Sequence, residues 1–202
     1  MYYIGIYYDI SPQVPSACAV MEKNLKNLRR HYRLIDLAAF PSPCDDTLIH
    51  EKIKALHQDR SFFMVKKVFS QDRKPTKKVP THPSVVCGFK NETPSPLVPV
   101  RKAGIPVDCL VFNEDNARSR DKKPDFTPGQ ATHTSISAVV KTMSTVIRQN
   151  RLDGESLDPW GELRDSLLTM NDGTIDPSHH HLIMAMAIPV WLAENVRKIY
   201  RY

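Results

Sequence analysis

Apolar and aromatic residues gather in three short stretches at the start of the chain, and polar residues separate them. Residues 2–9 are β-branched and aromatic and predict a central strand. Residues 17–22 predict a second strand antiparallel to the first, and residues 32–40 predict a third, with 24–30 as a polar connection. Three strands joined by short links predict an antiparallel meander.

The next segment alternates between helical and strand-like patterns. Apolar residues recur at helical spacing over 48–56 and predict a first helix, capped by Asp46 or Thr47. Residues 62–69 predict a fourth strand, parallel to the first because a helix crosses over between them. Residues 85–89 fit either a short strand or the start of a helix.

The second half of the chain is mainly helical. Residues 97–102 predict a helical turn, and the almost wholly apolar run 107–112 predicts a fifth strand that is covered on both faces. An apolar stripe over 136–147 predicts a long helix, capped by Thr134 or Ser135.

Two more helices complete the pattern. Asp158 is the predicted cap of one helix, Asn171–Gly173 predicts a turn, and Ser178 is the predicted cap of a last helix that Pro189 bends. The order of elements resembles that of the ribonuclease H-like fold. We therefore expect a single α/β domain over residues 1–202, with a mixed sheet of an antiparallel meander and two parallel strands, flanked by helices.

Composition narrows the class of protein. The chain has 202 residues, 41% hydrophobic and 25% charged, which is ordinary for a globular domain. It has no apolar run of about 18 residues and no signal-peptide pattern at its start, so we expect no membrane partner. Cys18, Cys44, Cys87 and Cys109 are scattered, which favours free thiols and a cytoplasmic location. No glycine-rich nucleotide-binding loop occurs.

The formal net charge of +6 is concentrated in a Pro-rich loop predicted over 70–84 and in the residues just before it. Six cations lie close together there: Lys66, Lys67, Arg73, Lys74, Lys77 and Lys78. Such a cluster attracts phosphate backbones without sequence preference, so it predicts nucleic-acid binding; the alternative is a solvated loop. A second loop, charged and without periodicity, is predicted to be mobile over 113–130.

The last predicted helix carries a family resemblance. Residues 178–194, SHHHLIMAMAIPVWLAE, resemble the "HDDLvlAlAlAvWlAe" pattern of the nuclease domain of phage and prophage terminase large subunits. The end of the helix over 134–150 and the segment 157–167 resemble the family's two preceding helices, and residues 4–9 with 17–22 resemble its first two strands. Together these pieces cover most of the chain.

The resemblance implies a cleft in which carboxylates hold two divalent metals for phosphodiester cleavage. The family's first-strand aspartate falls on Tyr7, its fourth-strand acid falls near Lys66 or Lys67, and its paired aspartates fall on His180 and His181. The resemblance therefore implies a degenerate nuclease that needs no cofactor. Its expected role is as a DNA-binding or assembly module, with double-stranded DNA and packaging proteins as expected partners.

Two alternatives stay open. In the first, the chain is an active endonuclease that uses Mg²⁺ or Mn²⁺ through relocated acids, with Asp9, Glu114 and Asp176 as the candidates. A second ligand set for the same reading adds His180 and His181 to Asp9 and Glu114, although plain surface or phosphate-contacting histidines are the simpler interpretation. In the other alternative, the chain is a structural protein that binds no nucleic acid.

Overall fold

The computed structural model describes the chain except residues 10–14, 43–44, 60, 67–76, 91–96, 114–130, 155–156, 159, 170–178 and 196–202. The strands in chain order are β1 Tyr2–Tyr8, β2 Ala17–Lys26, β3 Arg29–Ala39, β4 Phe63–Lys66, β5 Lys77–Pro80, β6 Ser84–Lys90, β7 Val107–Asn113, β8 Ala131–Ser135 and β9 Leu152–Asp153. The helices are α1 Asp46–Gln58, α2 Leu97–Lys102, α3 Ile136–Arg148, α4 Trp160–Thr169 and α5 His180–Asn195.

Seven strands form one mixed sheet in the order β8-β7-β6-β1-β2-β3-β9. Strands β1, β2 and β3 are antiparallel neighbours, whereas β6, β7 and β8 continue the sheet parallel to β1. The predicted mixed α/β sheet flanked by helices is confirmed, and its arrangement is consistent with a ribonuclease H-like fold. The sheet is wider than predicted, because β8 and β9 add an edge strand on each side.

The predicted fourth strand over 62–69 is wrong in its partner. Residues Phe63–Lys66 pair antiparallel with Lys77–Pro80 in a separate two-stranded ribbon, and Ser84–Lys90 is the strand parallel to β1. The physical reason is burial, since β6 carries Val85, Val86, Cys87 and Phe89, all nearly inaccessible. A lysine-bearing segment could not be covered on both faces in this way.

The polar connection predicted over 24–30 is also wrong. β2 continues to Lys26 and β3 begins at Arg29, so only Asn27 and Leu28 form the turn. Both turn residues have positive φ, 51° and 61°, as a two-residue hairpin turn of the primed type requires.

Helix boundaries follow the predicted apolar stripes closely. Ser135 caps α3, as predicted, with its side chain accepting a hydrogen bond from the N–H of Ala138. Asp45, rather than Asp46 or Thr47, caps α1. α2 ends before Gly104, whose φ of 77° suits glycine. The predicted cap Ser178, the turn 171–173 and the loop 114–130 lie outside the described residues, and the loop predicted over 70–84 contains β5 and the start of β6.

Helices cover both faces of the sheet. Helices α3, α4 and α5 pack on one face, where their apolar residues join those of β1, β2 and β3 in the larger core. Ile49 and Ile53 of α1 and Leu97 and Val100 of α2 pack on the other face, in a second core. Within the described residues, no helix combines the length and apolar character that a membrane span needs.

Helix α5 lies against β1 at unusually short range. A Cβ added to Gly5 would lie 2.2 Å from the carbonyl oxygen of Ala185 and 2.5 Å from Cδ of Pro189. Proline has no N–H, so Pro189 cannot donate to the carbonyl four residues earlier, which is that of Ala185. Gly5 and Pro189 therefore fix the distance between the central strand and the helix.

We predict that Gly5→Ala destabilises the fold by about 1–3 kcal/mol or more, because backbone and ring atoms on both sides of the new methyl group have to move. Gly161→Ala is the matched control: no atom lies within 4 Å of its added Cβ. The control should leave stability unchanged or raise it by about 1 kcal/mol. Urea denaturation measures both, and equal stabilities would contradict this account of the β1–α5 contact.

Candidate functional site

Tyr7 occupies the position where the resemblance expects a metal-binding aspartate. Its side chain is fully buried, and its hydroxyl donates a hydrogen bond to Oδ2 of Asp9 at 3.0 Å. The ring lies 5.3 Å from the His180 ring and 6.3 Å from the Phe112 ring, centroid to centroid. Burial, and then the Asp9 carboxylate, raise the pKa of Tyr7 far above its usual value. Tyr7 is therefore a neutral donor and not an anionic ligand.

The strand beside Tyr7 offers no carboxylate either. In the parallel register of β1 and β6, Gly88 stands opposite Tyr7. A Cβ at Gly88 would lie 2.6 Å from Cδ1 of Ile188 and 2.7 Å from the Phe112 ring. A side chain at this position would therefore require the Ile188 and Phe112 side chains to move.

This register corrects the assignment of Lys66 and Lys67. The sequence placed these two lysines at a metal-ligand position on the assumption that residues 62–69 form the strand parallel to β1. The strand parallel to β1 is instead β6. Lys66 instead lies on the separate ribbon, and Lys67 lies outside the described residues. In the strand parallel to β1, the residue opposite Tyr7 is therefore Gly88 and not a lysine.

The histidines at the start of α5 do not converge on one point. His179 lies 3.8 Å, Nε2 to Oε2, from Glu162 on α4, whereas His180 lies against Tyr7. His181 is buried, and its pKa is lowered first by burial and then by the nearby His179. The different neighbours follow from helix geometry, in which successive side chains are about 100° apart. Across the part of the chain that the structure describes, no three His, Cys, Asp or Glu residues form a group that could hold a metal ion.

Asp9 is the candidate acid that the structure places beside Tyr7. It follows β1 directly, its carboxylate accepts the Tyr7 hydroxyl, and its N–H donates to Oγ of Ser16 at 3.3 Å. The other two candidate acids, Glu114 and Asp176, lie outside the described residues.

The residues described at this position do not fit a pair of Mg²⁺ ions. Mg²⁺ prefers oxygen ligands in octahedral geometry, and two-metal nucleases hold both ions with several carboxylates. A buried phenol, a glycine and an imidazole stand there instead, beside the single carboxylate of Asp9. We therefore derive no metal-dependent step from them.

Three of the six clustered cations, Lys66, Lys77 and Lys78, lie at one end of the β4–β5 ribbon. The ribbon pairs Phe63 with Pro80 at one end and Lys66 with Lys77 at the other, and Lys78 pairs with Val65. Lys67, Arg73 and Lys74 belong to the intervening sequence, outside the described residues. A two-stranded ribbon has the width that the major groove of B-DNA accepts.

Neither a known protein-family model nor any curated protein or solved structure matches this chain significantly. The terminase resemblance therefore remains a prediction from the sequence, and only the fold class that it implied is confirmed.

Two features of the site were missed in the sequence. Gly88 stands within the apolar run Val85–Phe89, and a glycine inside such a run signals close approach of another element. The signal was ambiguous because residues 85–89 fit either a short strand or the start of a helix. The contact between His180 and Tyr7 joins residues far apart in sequence, and no local pattern indicates it.

We predict that stability falls as the pH is lowered through about 6.5, the ordinary histidine pKa, partly because of His181. Its folded-state pKa is lowered, so its contribution is complete above the unfolded-state pKa. That contribution is lost as the pH falls through the folded-state value. His181→Gln should therefore flatten the dependence of the unfolding free energy on pH, whereas His133→Gln, at an exposed histidine of β8, should not. Identical pH profiles for the wild type and His181→Gln would contradict the burial of a neutral imidazole.

Proposed function

We propose that this chain is a terminase-nuclease-like domain of phage or prophage origin that has lost its catalytic metals and acts as a DNA-binding or assembly module. One observation carries the proposal: the end of β1 is filled by the buried, neutral ring of Tyr7, opposite a glycine with no free space. A ribonuclease H-like domain that cleaves by two-metal chemistry needs carboxylates at this place.

The basic ribbon supports nucleic acid as the partner. Lys66 and Lys77 are paired in the backbone register of the ribbon, and four further cations lie close to them in the sequence. A concentration of cations in the sequence favours a phosphate backbone, whose binding releases the counterions that surround the nucleic acid. Double-stranded DNA is the form that we favour, because a ribbon of this width suits its major groove.

An active endonuclease with relocated ligands is the second candidate. Asp9 favours it, since this carboxylate is partly exposed and lies at the end of the central strand. Glu114 and Asp176 would have to complete the ligand set. A structural protein without nucleic acid is the third candidate, and nothing in the ribbon's charge favours it.

We also propose a cytoplasmic location. Cys18, Cys87 and Cys109 are free thiols, and Cys87 stands directly beside Cys109 on neighbouring strands without a disulfide. Thiols stay in this state in a reducing compartment.

For the ribbon, we predict that Lys66→Glu combined with Lys67→Glu removes most of the affinity for double-stranded DNA. The wild type should bind with a steep salt dependence, and the double variant should lower the slope of log K against log salt by about 2. Fluorescence anisotropy measures both quantities. Lys54→Glu combined with Arg164→Glu is the control, because it makes the same change in charge at exposed positions of α1 and α4. Equal losses of affinity in the two double variants would show that the ribbon contributes only through the net charge of the protein.

For catalysis, we predict that the purified chain does not nick supercoiled plasmid in either Mg²⁺ or Mn²⁺. Asp9→Asn is the diagnostic variant for any activity that is seen. Cleavage by the wild type that Asp9→Asn abolishes would establish the endonuclease reading and reject ours. Cleavage that Asp9→Asn leaves unchanged would indicate a contaminating nuclease.

A further inference from the structure

The hairpin formed by β2 and β3 projects beyond the cores. The burial of β2 ends after Met21, and its last three residues, Asn24 to Lys26, are exposed. The register pairs Asn24 with His31, Leu25 with Arg30 and Lys26 with Arg29. Arg30 contacts the end of α5, so the Lys26–Arg29 pair and the two turn residues are the part of the hairpin that projects.

Leu28 at the tip combines two unfavourable features. Its side chain is 99% exposed, and its φ of 61° lies in the left-handed region that favours glycine or asparagine. Asn-Gly is the common pair for a turn of this type, and it would relieve both features at once. A single exposed leucine is ordinary, but a leucine held in the left-handed region is strained, and such strain is often found at functional sites.

The cross-strand pair beside the turn is unfavourable as well. Lys26 and Arg29 are exposed, face each other directly, and form no ion pair with any residue that the structure describes. Further along the hairpin, by contrast, Arg33 forms an ion pair of 2.7 Å with Glu22. The charge at the tip is therefore uncompensated, and a polyanion would compensate it.

The hairpin is anchored at Arg30, one residue pair before the tip. The Arg30 guanidinium donates to the carbonyl oxygens of Ala193 and Glu194 at the end of α5. The Arg151 side chain donates in turn to the carbonyl oxygen of Arg30, at 3.0 Å, and to Glu194. A cation at the C-terminus of a helix also interacts favourably with its dipole. The tip is thus presented in a defined direction relative to α5.

We propose that the β2–β3 tip is a second nucleic-acid contact, at which Leu28 wedges against a base step of duplex DNA while Lys26 and Arg29 contact the flanking phosphates. Architectural DNA-binding proteins use leucine and similar side chains in this way. The proposal rests on the proposed function, that the chain binds DNA. It concerns a different place. The tip lies beyond the first residue of β1, whereas Asp9 follows the last residue of β1, which is roughly 20 Å from the first along the strand.

An anionic membrane surface would also attract a leucine flanked by cations. The apolar area is small, however, because Leu25 and Leu28 are the exposed leucines of the hairpin. Even a myristoyl chain, which is far larger than one leucine, holds a protein at a membrane only marginally. DNA is therefore the occupant that we favour.

The test uses a duplex that carries 2-aminopurine, whose fluorescence rises when its base step is unstacked. Wild-type protein should bind and raise this fluorescence. Leu28→Gly should bind at least about tenfold more weakly and abolish the rise, because the wedge is gone. The thermal midpoint of Leu28→Gly should equal or exceed that of the wild type, since glycine suits the left-handed turn.

Charge reversal at the tip gives an independent readout. Lys26→Glu combined with Arg29→Glu should lower the salt slope of duplex binding by about 2, and Lys54→Glu combined with Arg164→Glu should not. Vesicles of anionic phospholipid are the competing probe.

Three outcomes overturn the inference in distinguishable ways. If tip variants bind as the wild type does, while Lys66→Glu combined with Lys67→Glu loses affinity, the tip proposal fails and the proposed function stands. If the wild type does not bind duplex DNA, the DNA-binding role in the proposed function fails, and the tip proposal fails with it. Sedimentation with vesicles that requires Leu28, without duplex binding, would assign the tip to a lipid surface instead.

Discussion

The close contact between β1 and α5 determines the rest of the structure. From Ile183 to Ala193, every residue of α5 is buried, so the helix needs a partner surface on all sides. Gly5 provides the approach from the sheet, and Pro189 removes the N–H that would otherwise occupy the Ala185 carbonyl. The helix thereby lies close enough for its first turn to bring His180 against Tyr7.

The same contact accounts for the apolar packing that the described residues show at the end of β1. An open cleft for two metals needs space between the end of β1, the neighbouring parallel strand and the last helix. Here Tyr7, Phe112 and Ile188 fill that space, and Gly88 is compatible with it because glycine adds no Cβ. Apolar packing thus stands where charge–metal interactions would otherwise hold the elements together. This is the physical basis for our proposal that the domain binds DNA rather than cleaves it.

Much of the fold was predictable because its local signals agree with its tertiary structure. The β1–β2–β3 meander, β7 and the Ser135-capped α3 each have a periodic pattern that burial reinforces. The identity of the parallel partner of β1 was not predictable in this way. Residues 62–69 and 85–89 are both short and apolar, and only the exclusion of lysine from a doubly covered strand separates them. The two-residue hairpin turn was not predicted because its second residue, Leu28, is not one of the glycine, asparagine or aspartate residues that usually form such turns.

Our proposal that apolar packing has replaced metal-binding carboxylates at the end of β1 is most directly tested by an NMR titration with Mn²⁺, which broadens the signals of nuclei close to it. The account predicts that the amide signals of Gly88, His180 and Asp9 keep their line widths when Mn²⁺ is equimolar with the protein. Saturable broadening centred on these three amides, at that concentration, would show a working metal site and contradict the account.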